Sequence, residues 1–330
     1  MEDTMQTSQA QLCDLLGIRL PIIQAPIGSA SCPELAATVS NAGGLGTLAL
    51  SWRRTEEIAA LLEQTRRLTP RPFAVNLVLE WPQEERLEIC LAGGVRIFSF
   101  FWGDPTSLIR RVHDAGAIAV HAVGESEEAK AACAAGADGI VAQGWEAGGH
   151  VRGRMPLATL LPRVVEAVGA TPVLAAGGII DASGAAAALS QGAAGVWMGT
   201  RFLASVESAA HPVYKERILQ ARDTDTLYTN LFDIGWPHAY HRVLRNRTVD
   251  RWEQAGCPPS GSRPGEGEII AFMADGRPVV RYEDVIPLPG MTGDLEDLAL
   301  YAGQGAGRIR TIQPAAEIVA ELEREAFQTQ

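Results

Sequence analysis

The sequence has little of what marks a secreted or membrane protein. Its 330 residues include five cysteines, an odd number with no C-x-x-C pair, so we expect neither a disulfide framework nor a zinc site. No apolar run approaches the ~18–20 residues that cross a bilayer. The polar start MEDTMQTSQA is unlike a signal peptide. A cytoplasmic protein that does not enter membranes is the expectation.

Positive charge is also scarce. Lys and Arg total 28 against 39 Asp and Glu, a formal net charge of −11. Because an acidic surface repels phosphate backbones, nucleic acid is not an expected partner. One basic run, residues 242–251, departs from this trend; we interpret it mainly as a solvated helix surface, with contact to an anionic ligand as the alternative.

Three common catalytic motifs are absent. The sequence contains no H-E-x-x-H, no G-x-S-x-G and no G-x-G-x-x-G that follows a strand. We therefore expect no metal centre, no nucleophile elbow and no dinucleotide-binding fold.

What the chain does have is a repeated rhythm of short apolar runs and helical segments. Eight runs, at 22–25, 45–50, 73–79, 95–100, 117–123, 139–144, 172–177 and 195–199, are nearly continuous in apolar residues, as strands buried on both faces are. Helical patterns cover 33–41, 55–68, 105–115, 126–135, 157–168, 182–191 and 315–326. Eight such units predict an α/β fold, a TIM (βα)8 barrel.

The rhythm stops after Gly199. Residues 201–292 hold several prolines and the loop-like run CPPSGSRPGEGE. We predict a barrel domain made of residues 1–205 and 293–330, with 206–292 inserted as a substrate or lid domain.

Two glycine-containing pairs follow the last two predicted strands. Gly177-Gly178 comes after the seventh, and Gly199-Thr200 after the eighth. These are the loops where barrels of this kind often bind a phosphate, because bare backbone N–H groups can approach the anion. The alternative is that the glycines only make tight turns. The phosphate would belong to the substrate or to FMN.

Polar side chains end other strands. Asn76 and Gln143 either satisfy local backbone groups or bond the polar edge of a planar ring such as an isoalloxazine. His150 follows Gly148-Gly149, which would let a flat ligand approach the backbone closely. An imidazole there either has a structural role or handles a proton near neutral pH.

Four other histidines have less defined roles. His121 is expected to lie in the core or behind the site, and His113 on a helix surface. His238 and His241 fall in the insertion, where a lid lining is one possibility.

Six segments, in order, resemble the nitronate monooxygenase family, formerly called 2-nitropropane dioxygenases. They are PIIQAPIG, NAGGLGTL, FAVNL, VAQGWEAGGH, PVLAAGGI and VWMGTRFL, and AGQGAG near Gly303 is also similar to the family pattern. The resemblance spans about residues 20–325. It implies an FMN-dependent TIM barrel with a mostly helical second domain.

The resemblance also implies the site. His150 is expected to be the catalytic base, or a hydrogen-bond donor to the nitro group of the substrate. The expected cofactor-binding residues are Ala25, Asn76, Gln143, Gly148, Gly149, Gly177, Gly178, Trp197, Met198, Gly199 and Thr200. The implied reaction is oxidation of an alkyl nitronate, and possibly a nitroalkane, by O2 without NAD(P)H.

The same motifs are shared by flavin-dependent enoyl-[acyl carrier protein] reductases, and NAD(P)H:quinone reductases are further relatives. An NAD(P)H-dependent FMN reductase acting on an enoyl thioester or a quinone is therefore the alternative. Trp102 and Trp236 are interpreted as core first and as a wall of the site second. A homodimer is compatible with the sequence.

Overall fold

Eight parallel strands form a closed barrel, as predicted. A computed structural model describes residues 2–327. The barrel strands are β1 (Ile22–Gln24), β2 (Gly46–Ala49), β3 (Phe73–Val78), β4 (Ile97–Phe101), β5 (Ile118–Val123), β6 (Gly139–Gln143), β8 (Val173–Ala176) and β9 (Gly195–Met198); the two-residue β7 (Gly149–His150) lies outside the barrel. Neighbours follow the order β1-β9-β8-β6-β5-β4-β3-β2. A Gln24 N–H bond to Leu45 O, at 2.9 Å, closes the ring between β1 and β2.

Helices alternate with these strands. They are α1 (Glu2–Leu16), α2 (Pro33–Asn41), α3 (Thr55–Leu68), α4 (Glu84–Ala92), α5 (Thr106–Asp114), α6 (Ser126–Ala134), α7 (Leu157–Val168), α8 (Ala182–Ser190), α9 (Thr200–Leu203), α10 (Pro212–Leu219), α11 (Arg247–Gln254) and α12 (Ala315–Leu322). The seven predicted helices are present within a few residues of their predicted ends. The sequence did not reveal α1 and α4, since polar residues interrupt their apolar stripes.

Alternating side chains of each strand divide the barrel into an inner and an outer core. The inner core includes Ile23, Val120, Val141 and Trp197, while neighbouring strand residues pack outward against the helices. Leu12 and Leu16 of α1 pack against the inner core. The opposite mouth, where the strands end, is left for the site.

The segment 206–292 is mixed rather than mostly helical, which corrects that expectation. Besides α10 and α11 it holds β10 (Thr226–Thr229), β11 (His241–Leu244), β12 (Ile269–Phe272) and β13 (Pro278–Val280), and β14 (Thr292–Gly293) begins at its end. The strands form two three-stranded sheets, β10-β11-β7 and β13-β12-β14. Short β-branched and aromatic runs separated by Gly and Pro favour hairpins over helices here.

Strand β7 connects the barrel to the inserted segment by strand pairing. It pairs antiparallel with β11, with His150 opposite His241 and Gly149 opposite Arg242. The basic run therefore does not start on a helix: Arg242 is buried in β11, and its Nε donates to Trp145 O at 3.0 Å.

The domain boundaries predicted from the sequence, 1–205 with 293–330 and the inserted 206–292, remain a prediction. No helix in residues 2–327 is long and apolar enough to cross a membrane.

Candidate active site

A cavity of about 480 Å³ opens at the carboxyl ends of the barrel strands. The inserted segment supplies part of its wall, including Met273, Arg277 and Asp284. Eleven of the twelve predicted site residues line it: Ala25, Asn76, Gln143, Gly148, Gly149, His150, Gly177, Gly178, Trp197, Gly199 and Thr200. The scattered strand ends of the sequence therefore converge on one continuous site.

Met198 is the predicted residue that does not line the cavity. Its side chain is 1% exposed and packs in the outer core. Because strand residues alternate between faces, Trp197 points into the barrel and Met198 points away from it. The Met198 carbonyl accepts from the Ala25 N–H at 2.9 Å within the sheet.

His150 is a buried, neutral imidazole at the cavity wall. Its ring lies against Trp236, with centroids 4.0 Å apart and planes at 31°. Burial lowers the pKa of His150 to about 3. Its Nε2 is buried and has no hydrogen-bond partner among the residues described. Buried polar atoms are normally paired, so an unpaired nitrogen at a cavity wall makes His150 a candidate for a functional role.

A carboxyl that the sequence did not single out stands beside it. Asp284 Oδ2 lies 3.8 Å from His150 Nε2. Burial raises the pKa of Asp284 to about 6. The Tyr301 hydroxyl donates to Asp284 Oδ1, and Tyr214 donates to the Tyr301 carbonyl at 2.5 Å. No sequence pattern distinguished Asp284, because it lies in the charged run RYED. Tyr301 could have been identified from the sequence, because it directly precedes the AGQGAG motif.

His241 lies behind His150 and does not line the cavity. Their ring centroids are 5.3 Å apart. His241 Nε2 accepts from the Phe232 N–H at 3.2 Å, and Nδ1 lies 3.0 Å from the Ala239 carbonyl. These partners place the proton on Nδ1. Burial lowers the pKa of His241 to about 3, so its ring is neutral and packs against that of His150. His238 is exposed.

Gln143 holds the segment that carries His150. Its Nε2 donates to His150 O at 3.0 Å, and its Oε1 accepts from the Arg152 N–H at 3.2 Å. Of the two interpretations of this amide, the structure shows the bonding of local backbone. Asn76 is similarly held: its Nδ2 donates to the carbonyl and the hydroxyl of Ser99, both at 3.1 Å.

The two glycines before His150 have different functions. A Cβ at Gly148 would lie 2.5 Å from Gly303 N, so Gly148 is required by the close approach of the AGQGAG turn. Gly149 has φ +80° and open space where a Cβ would stand. Only Gly149 leaves room for a ligand at the cavity.

The glycine loops after β8 and β9 present free backbone donors. No acceptor among residues 2–327 pairs with the N–H of Gly177, Gly178 or Gly199. The AGQGAG turn lies beside them, with the Gly303 N–H donating to Thr200 Oγ1 at 3.0 Å. Three glycines with unpaired N–H groups thus line the same cavity, and we refer to them as the anion cradle because free backbone donors of this kind suit an anion.

Four tryptophans pack together at one side of the cavity. Trp236 contacts Trp52, Trp81 and Trp102 with centroids 4.9–6.2 Å apart. Trp236 and Trp52 line the cavity and Trp102 does not. Trp236 is 2% exposed, so it is both core and wall.

His121 is buried on the outer face of β5, and His113 pairs with Asp138 on the surface, as expected.

A family model described as nitronate monooxygenase matches residues 9–88 and 80–325. The chain belongs to the nitronate monooxygenase family. The nitronate monooxygenase of Pseudomonas aeruginosa is 36% identical over 94% of this chain and 97% of that protein. The (3aS,4S,5R,7aS)-5-hydroxy-7a-methyl-1-oxo-octahydro-1H-indene-4-carboxyl-CoA dehydrogenase of Mycobacterium tuberculosis is 40% identical over 76% of this chain and 69% of that protein.

Solved structures of two proteins are similar throughout. FabK from Thermotoga maritima superposes with a TM-score of 0.82 at 33% identity, covering 97% of this chain and 96% of that one. The nitroalkane oxidase of Streptomyces ansochromogenes gives 0.79 at 32% identity, covering 96% and 98%. Together these relatives make this nitronate monooxygenase family member an oxidoreductase.

Proposed function

We propose that the protein oxidises alkyl nitronates with O2, using FMN, and that it also accepts neutral nitroalkanes. The observation that carries the nitroalkane part of this proposal is the neutral imidazole of His150 at a cavity that also holds the anion cradle. Similarity to the Pseudomonas nitronate monooxygenase over nearly the full length of both chains supports it. We propose His150 as the catalytic residue and the other expected residues as the cofactor-binding set, except that Gln143 holds the segment of His150 instead of contacting the cofactor.

The cavity fits FMN on structural grounds. The free N–H groups of Gly177, Gly178 and Gly199 suit its phosphate. The open face at Gly149 suits its flat ring, since no Cβ intervenes. Trp197 and Ala25 also line the cavity. Bound FMN would supply the electron acceptor, which no side chain of the cavity provides.

His150 handles the substrate proton. Because burial lowers the pKa of His150 to about 3, its imidazole is unprotonated at neutral pH. To act as a base it needs the imidazolium to be stabilised as the proton arrives, and the Asp284 carboxyl 3.8 Å away is placed to do so. For a neutral nitroalkane the imidazole takes the proton from the carbon next to the nitro group; the C–H electron pair stays on the substrate, which becomes the nitronate. A nitronate supplied as such needs no base. Trp236, a residue of the inserted segment, covers one face of the imidazole and shields it from water.

The second candidate is an NAD(P)H-dependent FMN reductase for an enoyl thioester or quinone. The 40% identity to a protein named for a carboxyl-CoA substrate favours it. The partly open mouth supports it too, because Trp52 is 47% exposed there and would allow a long substrate to extend outward.

Oxygen consumption separates the two. The FMN-loaded protein is mixed in air with propionate 3-nitronate and no nicotinamide. We expect sustained O2 uptake. No uptake, combined with NADPH oxidation that depends on an enoyl-CoA or a quinone, would replace the first proposal by the second.

A further inference from the structure

We propose that Asp284 is the positioning carboxylate of His150: it accepts the Nε2–H, fixes the tautomer, and leaves the Nδ1 lone pair facing the cavity as the base. The assignment rests on the proposed function for the role of His150. It adds a residue of the inserted segment, and a specific ring nitrogen, to the acid–base machinery.

The two ring nitrogens of His150 differ in their access to the cavity. Nε2 is buried and unpaired among the residues described, whereas the ring as a whole lines the cavity and the side chain retains 9% exposure. A proton from a molecule in the cavity must therefore reach the ring through its other polar atom, Nδ1. For Nδ1 to hold a lone pair, the proton of the neutral ring must be on Nε2.

Asp284 stands where it can hold that proton. Its Oδ2 is 3.8 Å from Nε2, within reach of a charge interaction. A charge-assisted hydrogen bond at ~2.8 Å needs the two atoms to approach by only about 1 Å. Hydrogen bonds of this kind are often long before a substrate is bound. The carboxylate also stabilises the imidazolium that forms when Nδ1 receives the proton.

Tyr301 orients the carboxylate. Its hydroxyl donates to Oδ1 of Asp284, and its own carbonyl is held by the Tyr214 hydroxyl. Oδ2 is thereby left for Nε2. Substituting Asn at position 284 would keep Oδ1 on the hydroxyl of Tyr301 and put the amide N–H, a donor, in front of Nε2.

The other charged and titratable groups around Asp284 leave this assignment intact. His241 interacts electrostatically with Asp284 and lowers the pKa of that carboxyl, but its two nitrogens are already bonded to backbone. Glu283 is next in the chain and is paired with Arg277 at 2.6 Å. Tyr214 is buried and Tyr301 is partly buried; both keep their protons, since desolvation raises the pKa of each well above its usual value.

The test is a nitrogen NMR measurement of the histidine tautomers in the full-length protein, labelled with 15N in its imidazole rings. The His150→Asn and His241→Asn spectra assign the two buried rings. We expect His150 to carry its proton on Nε2 at pH 8. His241 is an internal reference of the opposite kind, with its proton on Nδ1. A wild-type His150 with its proton on Nδ1 overturns the proposal, whatever the variants do.

The Asp284→Asn variant sharpens the test. We expect the proton of His150 to move from Nε2 to Nδ1, and kcat/KM with a neutral nitroalkane to fall roughly 10²-fold or more, as for loss of a general base. Asp294→Asn, an exposed carboxyl paired with Arg247, is the matched control and should change neither. A tautomer that stays on Nε2 in Asp284→Asn also overturns the proposal.

The two proposals fail separately. The tautomers are measured without any substrate. An Nε2–H tautomer with no activity toward nitro compounds would therefore contradict the proposed function and support the pairing of His150 with Asp284. Normal nitroalkane turnover with an Nδ1–H tautomer would support the proposed function and contradict the pairing of His150 with Asp284.

Discussion

His150 and His241 face each other across strands β7 and β11, with ring centroids 5.3 Å apart. One residue belongs to the loop after a barrel strand and the other to the inserted segment. The pairing means that the barrel alone does not build the site. The position of His150 depends on a strand contributed by residues 206–292, which also supply Asp284 and part of the cavity wall.

Replacing His150 by Asn should separate the two substrate types. Removing a general base costs about 10²–10⁴-fold, so we expect that loss in kcat/KM with a neutral nitroalkane. Turnover of the preformed nitronate should largely persist, and the protein should remain yellow. His113→Asn, on the surface of α5, is the control. Equal losses with both substrates would remove the base from the mechanism.

Gly149→Ala tests whether the flat ring of the cofactor lies over this glycine. Gly149 and Gly116 both have positive φ, +80° and +66°, and both have open space for a Cβ. Each substitution to Ala should therefore cost a similar ~1 kcal/mol of folding stability. Only Gly149→Ala should weaken FMN binding, measured by flavin fluorescence. The same FMN affinity in both variants would place the ring elsewhere.

Gln143→Leu tests the clamp on the histidine segment. The substitution removes the bonds to His150 O and the Arg152 N–H, each worth about 1 kcal/mol. We expect kcat with a neutral nitroalkane to fall roughly 10-fold, because misplacing a catalytic group by a fraction of an ångström is costly. FMN affinity should change less than kcat. If FMN is lost while kcat at saturating FMN is normal, the amide acts on the cofactor instead.

The two buried histidines make folding stability depend on pH in a definite direction. Burial lowers the pKa of both to about 3, whereas an imidazole in the unfolded chain titrates near ~6.5. Below that pH the unfolded state binds more protons. The stability that each neutral ring contributes is thus complete above about 6.5 and is lost as the pH falls toward 3.

His150→Asn removes one of these rings and leaves the other groups in place. Between about pH 6 and 4 the wild type should lose about 1.4 kcal/mol per pH unit relative to this variant. Asp284, whose pKa burial raises to about 6, acts in the opposite direction, and it is present in both proteins. Urea unfolding at a series of pH values measures the difference. A constant difference would mean that His150 is not held neutral.

The barrel was predictable from sequence because its strands are buried on both faces. Continuous apolar runs followed by glycine turns, such as 139–144 before Gly148, are typical of strands in a parallel sheet. The same rhythm placed the strand ends, and with them the residues that were expected to line the site. The side chain of Met198 lies outside the cavity, because the motif VWMGT does not show which way each side chain of a strand points; its expected contact with the cofactor stays a prediction.

The inserted segment was less predictable. Its strands are two to four residues long, too short for a periodic pattern to identify. Asp284 and His241 come to His150 through long-range pairing, which local sequence does not encode. Charged and polar residues in a loop-rich region are usually exposed, whereas these two side chains have little exposure.

The central claim is that electrons come from a nitronate and not from a nicotinamide. The most direct test is anaerobic mixing of the FMN-loaded protein with propionate 3-nitronate and, separately, with NADPH and NADH, while the flavin absorbance is followed. The account predicts rapid loss of the oxidised flavin spectrum with the nitronate and no change with either nicotinamide. Rapid bleaching by NADPH or NADH, with no response to the nitronate, would contradict it.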